Sequence, residues 1–174
     1  MNVNTLKPFV EAVSEVMNIE VGVTVVKGDL ELQKSSLTTN DITVLLHLVG
    51  EVYGVVLYSL SQSVGLKMVS KILGQDFREF NSLAQSGIAE LGNVITGRAT
   101  VKLSQAGYDT NISPPTVITG REVKISTLDF PRIVVPLKTD LGNMEVHLAV
   151  RESTNGKHMT PEEFVSLTIP RTAA

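Results

Sequence analysis

Cysteine is absent from this chain of 174 residues, which excludes disulfides and thiolate metal sites. No run of Lys or Arg occurs, and the formal net charge is -3. Nucleic acid is therefore not expected as a partner. No apolar stretch reaches ~18 residues, so no membrane span is expected. Residues Met1 to Lys7 lack a basic segment followed by a hydrophobic one, so no signal peptide is expected, and the expected location is cytoplasmic. What is present is a chain 43% hydrophobic, globular rather than disordered in composition. One domain of this length buries roughly two-thirds of its unfolded surface.

Metal ligation also lacks its residues. His47, His147 and His158 are scattered, with no H-x-x-x-H and no carboxylate cluster beside them. His47 and His147 fall in predicted strands, where a hydrogen-bonded core or sheet-face histidine is the ordinary reading. Gly50-Glu51-Val52-Tyr53-Gly54 has neither the spacing of a phosphate loop nor its following lysine.

Along the chain, Asn4 or Thr5 can cap a first helix with Pro8 in its first turn, and Leu6, Phe9, Val10, Val13, Val16 and Met17 form its buried stripe. Gly22 ends it, and the β-branched run Val21 to Val26 reads as a strand. Ile42 to Val49 and Val52 to Leu60 read as a hairpin around Gly50-Glu51. Ser61 or Ser63 caps a second helix that Gly74 closes, and a third runs from about Glu79 to Gln105. Four strands follow: Thr116 to Thr119, Glu122 to Thr127, Ile133 to Thr139 and Met144 to Val150. The order predicts an α/β (α+β) fold: a mostly antiparallel sheet packed with about three helices and built from a duplicated αβ unit. Residues 1–150 make the domain. Residues 151–174 form a polar tail in which Thr160-Pro161-Glu162-Glu163 carries the capping pattern of a short helix.

The third helix holds the most informative stretch, Ser86 to Gly97. Gly87, Gly92 and Gly97 interrupt it, each costing about 1 kcal/mol against alanine. At about 100° per residue, Ser86, Glu90, Asn93 and Gly97 share one narrow arc, opposite Ile88, Leu91, Ile95 and Ala99. One acid and one amide thus stand side by side on a face kept low by small residues. Two compensations for the glycines remain open: close packing of Gly87 and Gly92, or access for another surface. Glu15, Asn18 and Gly22 repeat the spacing of Glu90, Asn93 and Gly97 in an E-x-x-N-(I/V)-x-x-G pattern, which supports duplication. Ser86 has only Glu90 within reach one turn later, so a nucleophilic triad is not expected. An amide can position water, and a carboxylate can pair with a partner's lysine.

Ser86-x-x-x-Glu90-x-x-Asn93, within Glu90-Leu91-Gly92-Asn93-Val94-Ile95-Thr96-Gly97, resembles the signature of the CheC/CheX/FliY chemotaxis phosphatases. The segment Ile112-Ser113-Pro114-Pro115-Thr116-Val117 and the strand layout resemble the CheX type, and the likeness covers roughly residues 2–150. The E-x-x-N core alone is weak evidence; the glycine-bearing helix together with the Pro-Pro segment makes it specific. CheC-type members carry two such helices and CheX-type members one. Here the first helix has Glu11 in the serine position and Met17 in the first glycine position, which favours the CheX type with one working pair. Glu11 also adds a like charge one turn before Glu15, expected to repel an acidic partner.

The resemblance implies a phosphatase that hydrolyses the aspartyl phosphate of a CheY-like response regulator and ends a chemotaxis signal. It implies that Asn93 orients the attacking water, that Glu90 pairs with the regulator's lysine, and that Ser86 and Gly97 shape the docking contact. It further implies no cofactor of the chain's own, with Mg²⁺ on the regulator, and a homodimer joined through sheet edges. The alternative is a non-catalytic adaptor of the same fold, a regulator-binding or flagellar-switch module.

Overall fold

Helix α1 (Val3–Val16) opens the fold in the computed structural model, which describes residues 3–34, 37–38, 40–127, 130–153 and 165–168. Leu6, Phe9, Val13 and Val16 recur at helical spacing and are all buried. Pro8 falls in the second turn rather than the first, inside the helix. The helix does not stop at Val16. It widens into a π-helical turn, Met17–Val21, closed by Gly22 in the left-handed conformation (φ 69°) with its N–H on the Met17 carbonyl. The strand expected over Val21 to Val26 is thereby reduced to β1 (Val26–Lys27). Burial of Met17 and Val21 under the helix layer overrides their β propensity.

Short strands β2 (Glu31–Gln33) and β3 (Leu37–Thr38) lead to the hairpin β4 (Ile42–Gly50) and β5 (Val52–Leu60). Helix α2 (Gln62–Leu73) follows, capped by the Ser61 hydroxyl, which accepts from the Val64 N–H at 3.3 Å, and ended by left-handed Gly74. Helix α3 spans Ser82–Gln105; Asn81 supplies its cap by accepting the Ala84 N–H at 3.0 Å, so it starts three residues later than Glu79. The second half continues with β6 (Thr110–Ile112), β7 (Thr116–Thr119) and β8 (Lys124–Ser126). It ends in the hairpin β9 (Arg132–Thr139) and β10 (Gly142–Glu152). Strand β11 (Ser166–Thr168) pairs with β8; the predicted helix at 160–163 lies outside the described residues.

The main sheet has the order β1-β9-β10-β5-β4-β6, with β2 also on β9 and β7 also on β4. All its pairings are antiparallel. The duplication appears as an exchange. Strands β1 and β2 of the first half edge the second hairpin, β6 and β7 of the second half edge the first, and β3 pairs with β8. Each αβ unit therefore completes its partner's sheet. One apolar layer lies between this sheet and the helices; a second, around Leu45, Leu57, Ile125 and Phe130, lies beneath the small sheet β11-β8-β3. His147 is buried on β10 with Nε2 3.1 Å from Glu145 Oε2, and His47 is half-buried on β4; His158 lies outside the described residues.

Candidate functional site

Helix α3 is fixed at two levels, and its glycines do the fitting. A Cβ on Gly87 would stand 2.4 Å from Val69 Cγ2 of α2, and a Cβ on Gly92 would stand 2.9 Å from Val44 Cγ1 of β4. No side chain fits at either place without displacing its neighbour, so both glycines are explained by packing. A buried chain of hydroxyls sets the same level. Thr96 Oγ1 donates to the Gly92 carbonyl at 2.7 Å, and the Tyr58 hydroxyl of β5 donates to Thr96 Oγ1 at 2.9 Å. Burial pushes the Tyr58 phenol well above its ordinary pKa and keeps it a donor. Gly97 differs from the other two: nothing lies within 4 Å of the place its Cβ would take. Of the two compensations, packing accounts for Gly87 and Gly92, while a Cβ at Gly97 would enter open space.

On the outward side of this anchored helix, Glu90 and Asn93 meet. Asn93 Nδ2 donates to Glu90 Oε2 at 3.4 Å, with Glu90 exposed and Asn93 half-buried. An amide carries two N–H groups and one acceptor oxygen, so this bond uses one donor of three groups. Ser86 is exposed one turn earlier, its hydroxyl donating to the Ser82 carbonyl at 3.0 Å, within its own helix. Ser86, Glu90, Asn93 and Gly97 thus share one face, while Ile88, Leu91, Ile95 and Ala99 are buried opposite. The pair stands on the open outer face of α3. An open cleft of about 550 Å³ lies elsewhere, between Asp41, Gln62 and Arg121, and the space between α3 and the sheet is apolar and holds only about 10 Å³. That shape suits a protein partner better than a small ligand. Among the described residues, no three of His, Asp and Glu gather as metal ligands.

The repeated motif in the first helix has a different environment. Helix α3 continues past Gly97 to Gln105 and packs along α1, which brings Arg98 and Lys102 onto Glu15. Lys102 Nζ donates to Glu15 Oε1 at 2.6 Å and lies 3.6 Å from Glu11 Oε2; Arg98 Nε is 4.0 Å from Glu15 Oε2. Lys7 Nζ stands 3.6 Å from the other oxygen of Glu11. The hydrogen bond that Lys102 donates to Glu15 holds its ammonium above its ordinary pKa. The repulsive acidic patch expected around Glu11 is therefore corrected: both acids have basic partners. Asn18 sits in the π-helical turn, where the wider winding takes it off the line it would share with Glu15 in an α-helix. Arg98 and Lys102 were not singled out from sequence. Their spacing, two cations four residues apart directly after the motif's last glycine, puts them on one helix face but does not disclose their target on α1.

Residues 42–138 match the family model described as "Chemotaxis phosphatase CheX". A curated relative, the CheY-P phosphatase CheX of Thermotoga maritima, is 31% identical over 147 residues, covering 81% of this chain and 89% of the relative. Among solved structures, a CheC-like superfamily protein from Shewanella sp. PV-4 has a TM-score of 0.79 at 24% identity, covering 87% of this chain and 99% of that one. The CheX-CheY-BeF3-Mg+2 complex from Borrelia burgdorferi has a TM-score of 0.70 at 22% identity, covering 87% and 100%. These structures share the fold of three helices on a mostly antiparallel sheet. With its family model matched over more than half its length and a relative of 31% identity along most of it, this chain belongs to the CheX family of chemotaxis phosphatases.

Proposed function

We propose that this protein hydrolyses the aspartyl phosphate of a phosphorylated CheY-like response regulator and so ends a chemotaxis signal. The observation that carries the reading is the uncovered Glu90–Asn93 pair on a helix face lowered at Gly97. The Thermotoga maritima relative is named a CheY-P phosphatase, and the Borrelia burgdorferi neighbour is a complex with CheY. In the proposed step the Asn93 amide enters the regulator's active site and orients a water in line with the phosphorus–oxygen bond to be broken. Water attacks phosphorus, the aspartyl carboxylate leaves, and inorganic phosphate forms. Glu90 pairs with a lysine of the regulator and fixes the approach. Ser86 and Gly97 shape the contact without entering the chemistry. Mg²⁺ would belong to the regulator, and the chain would bring no cofactor of its own.

The same reading places the protein in the cytoplasm with its regulator; no helix among the described residues is long and apolar enough to cross a membrane. A homodimer through sheet edges is part of the proposal, supported by the short edge strands β1 and β2, where Val26 and Leu32 are exposed.

Asn93→Ala tests the central step. Its side chain lies outside the core, so the circular dichroism spectrum should be retained. Decay of a phosphorylated CheY-type regulator should fall toward the rate without the protein, a loss of about a hundredfold or more. Unchanged decay would remove the proposal.

A further inference from the structure

Helix α3 carries large apolar side chains in the open on both sides of the polar pair. Leu83 is 50% exposed and Val101 51% exposed. At about 100° per residue both fall within about 20° of Glu90 around the helix, on the outward line. At roughly 1.5 Å per residue, Leu83 stands about 10 Å before Glu90 and Val101 about 12 Å beyond Asn93. Leu73 at the end of α2 is 41% exposed and lies against α3 one turn after Leu83, where a Cβ on Gly87 would stand 3.8 Å from its Cδ1. Single exposed apolar residues are ordinary on a protein surface. Leu83 and Val101 instead bracket one functional pair along one line of α3.

We infer that Leu83, with Leu73 one turn after it, and Val101 are the apolar anchors by which the phosphorylated receiver domain of the regulator seats on α3. This rests on the phosphatase reading and names residues that set its affinity. The Asn93 amide projects only a short way from its helix, so a phosphoryl group reaching it draws the surrounding partner surface down onto α3. The open space at Gly97 lets that surface approach. A stable contact of about 800 Å² per partner is a patch about 30 Å across, which centred on Glu90 and Asn93 covers both anchors. Glu90 supplies charge for one lysine, and the anchors supply the desolvated area that a single exposed ion pair does not.

The test is the double variant Leu83→Ser/Val101→Ser, with both side chains exposed so that folding is retained and checked by its melting curve. Steady-state turnover of a CheY-type regulator phosphorylated by acetyl phosphate should show KM raised about tenfold or more, with kcat within about twofold. Binding of the beryllofluoride-activated regulator should weaken in parallel. Unchanged KM and binding overturn the inference. So does unchanged binding with a shift in oligomeric mass, which would assign the stripe to a second copy of this chain. Binding reads out the anchors separately from the chemistry. A wild-type protein that binds the activated regulator without accelerating its decay defeats the phosphatase reading, while weakened binding by the double variant still supports the anchors.

Discussion

Lys102 Nζ lies 2.6 Å from Glu15 Oε1, so the acid that repeats Glu90 in the first helix is matched with a cation of its own chain. The Glu90 carboxylate accepts from Asn93, its one side-chain partner among the described residues, and is exposed. The difference comes from helix length. Helix α3 runs on past Gly97 and lays Arg98 and Lys102 over α1, whereas the first helix ends at Gly22, and among the described residues none beyond it pairs with Glu90.

From this pairing, Glu15→Ala/Asn18→Ala should leave regulator dephosphorylation within about twofold of the parent, because Glu15 is already engaged and exposed ion pairs contribute little to stability. Initial rates at saturating regulator measure it. A loss of about half the turnover with unchanged melting temperature would mean that both helices work.

Glu90→Ala should weaken regulator binding and lower turnover at limiting regulator by about tenfold, as expected for one partner of a contact ion pair. The deficit should shrink as ionic strength rises, since screening removes from the parent what the variant already lacks. Titrations at low and high salt check this. A variant that fails to fold would instead make Glu90 a structural residue.

The three glycines of α3 should respond in opposite ways. Gly87→Ala forces a Cβ to within 2.4 Å of Val69 Cγ2 and should cost about 1–3 kcal/mol of stability in a denaturant melt. A Cβ at Gly97 would meet nothing within 4 Å, so Gly97→Leu should keep or gain stability, by up to about 1 kcal/mol. Its activity should nevertheless fall about tenfold as the raised floor keeps the partner off Asn93. A stable Gly97→Leu protein with full activity would show that access at Gly97 is unimportant.

The polar pair and its helix were legible because they rest on local signals: helical periodicity from Ile88 to Ala99 and small residues on one arc, whereas the Asn81 cap that sets the start was not read. The hairpins were legible for the same reason, with β5 matching its predicted bounds. What sequence did not disclose is tertiary. Val21 reads as strand by propensity and is helical because the layer above the sheet buries it. Glu31–Gln33 and Thr110–Ile112 are too short to carry a pattern, and become strands by pairing with hairpins of the opposite half. The covering of Glu15 depends on α1 lying against α3, which no local window reports.

The strand exchange means that neither half owns a closed structure. A lone αβ unit of this kind would leave its hairpin unedged and could finish it only with a second unit, so the fold is a dimer written into one polypeptide. Cutting the exposed segment between Gly74 and Phe80 should give two fragments that stay unfolded apart and recover the parent's circular dichroism when mixed. Failure to recombine would mean that the linkage is needed to start folding. Covalent joining has a further effect: two units in one chain need not keep the same sequence. One helix is free to lengthen and the other to end early, so a symmetric pair of surfaces becomes one open surface and one that the molecule closes by itself.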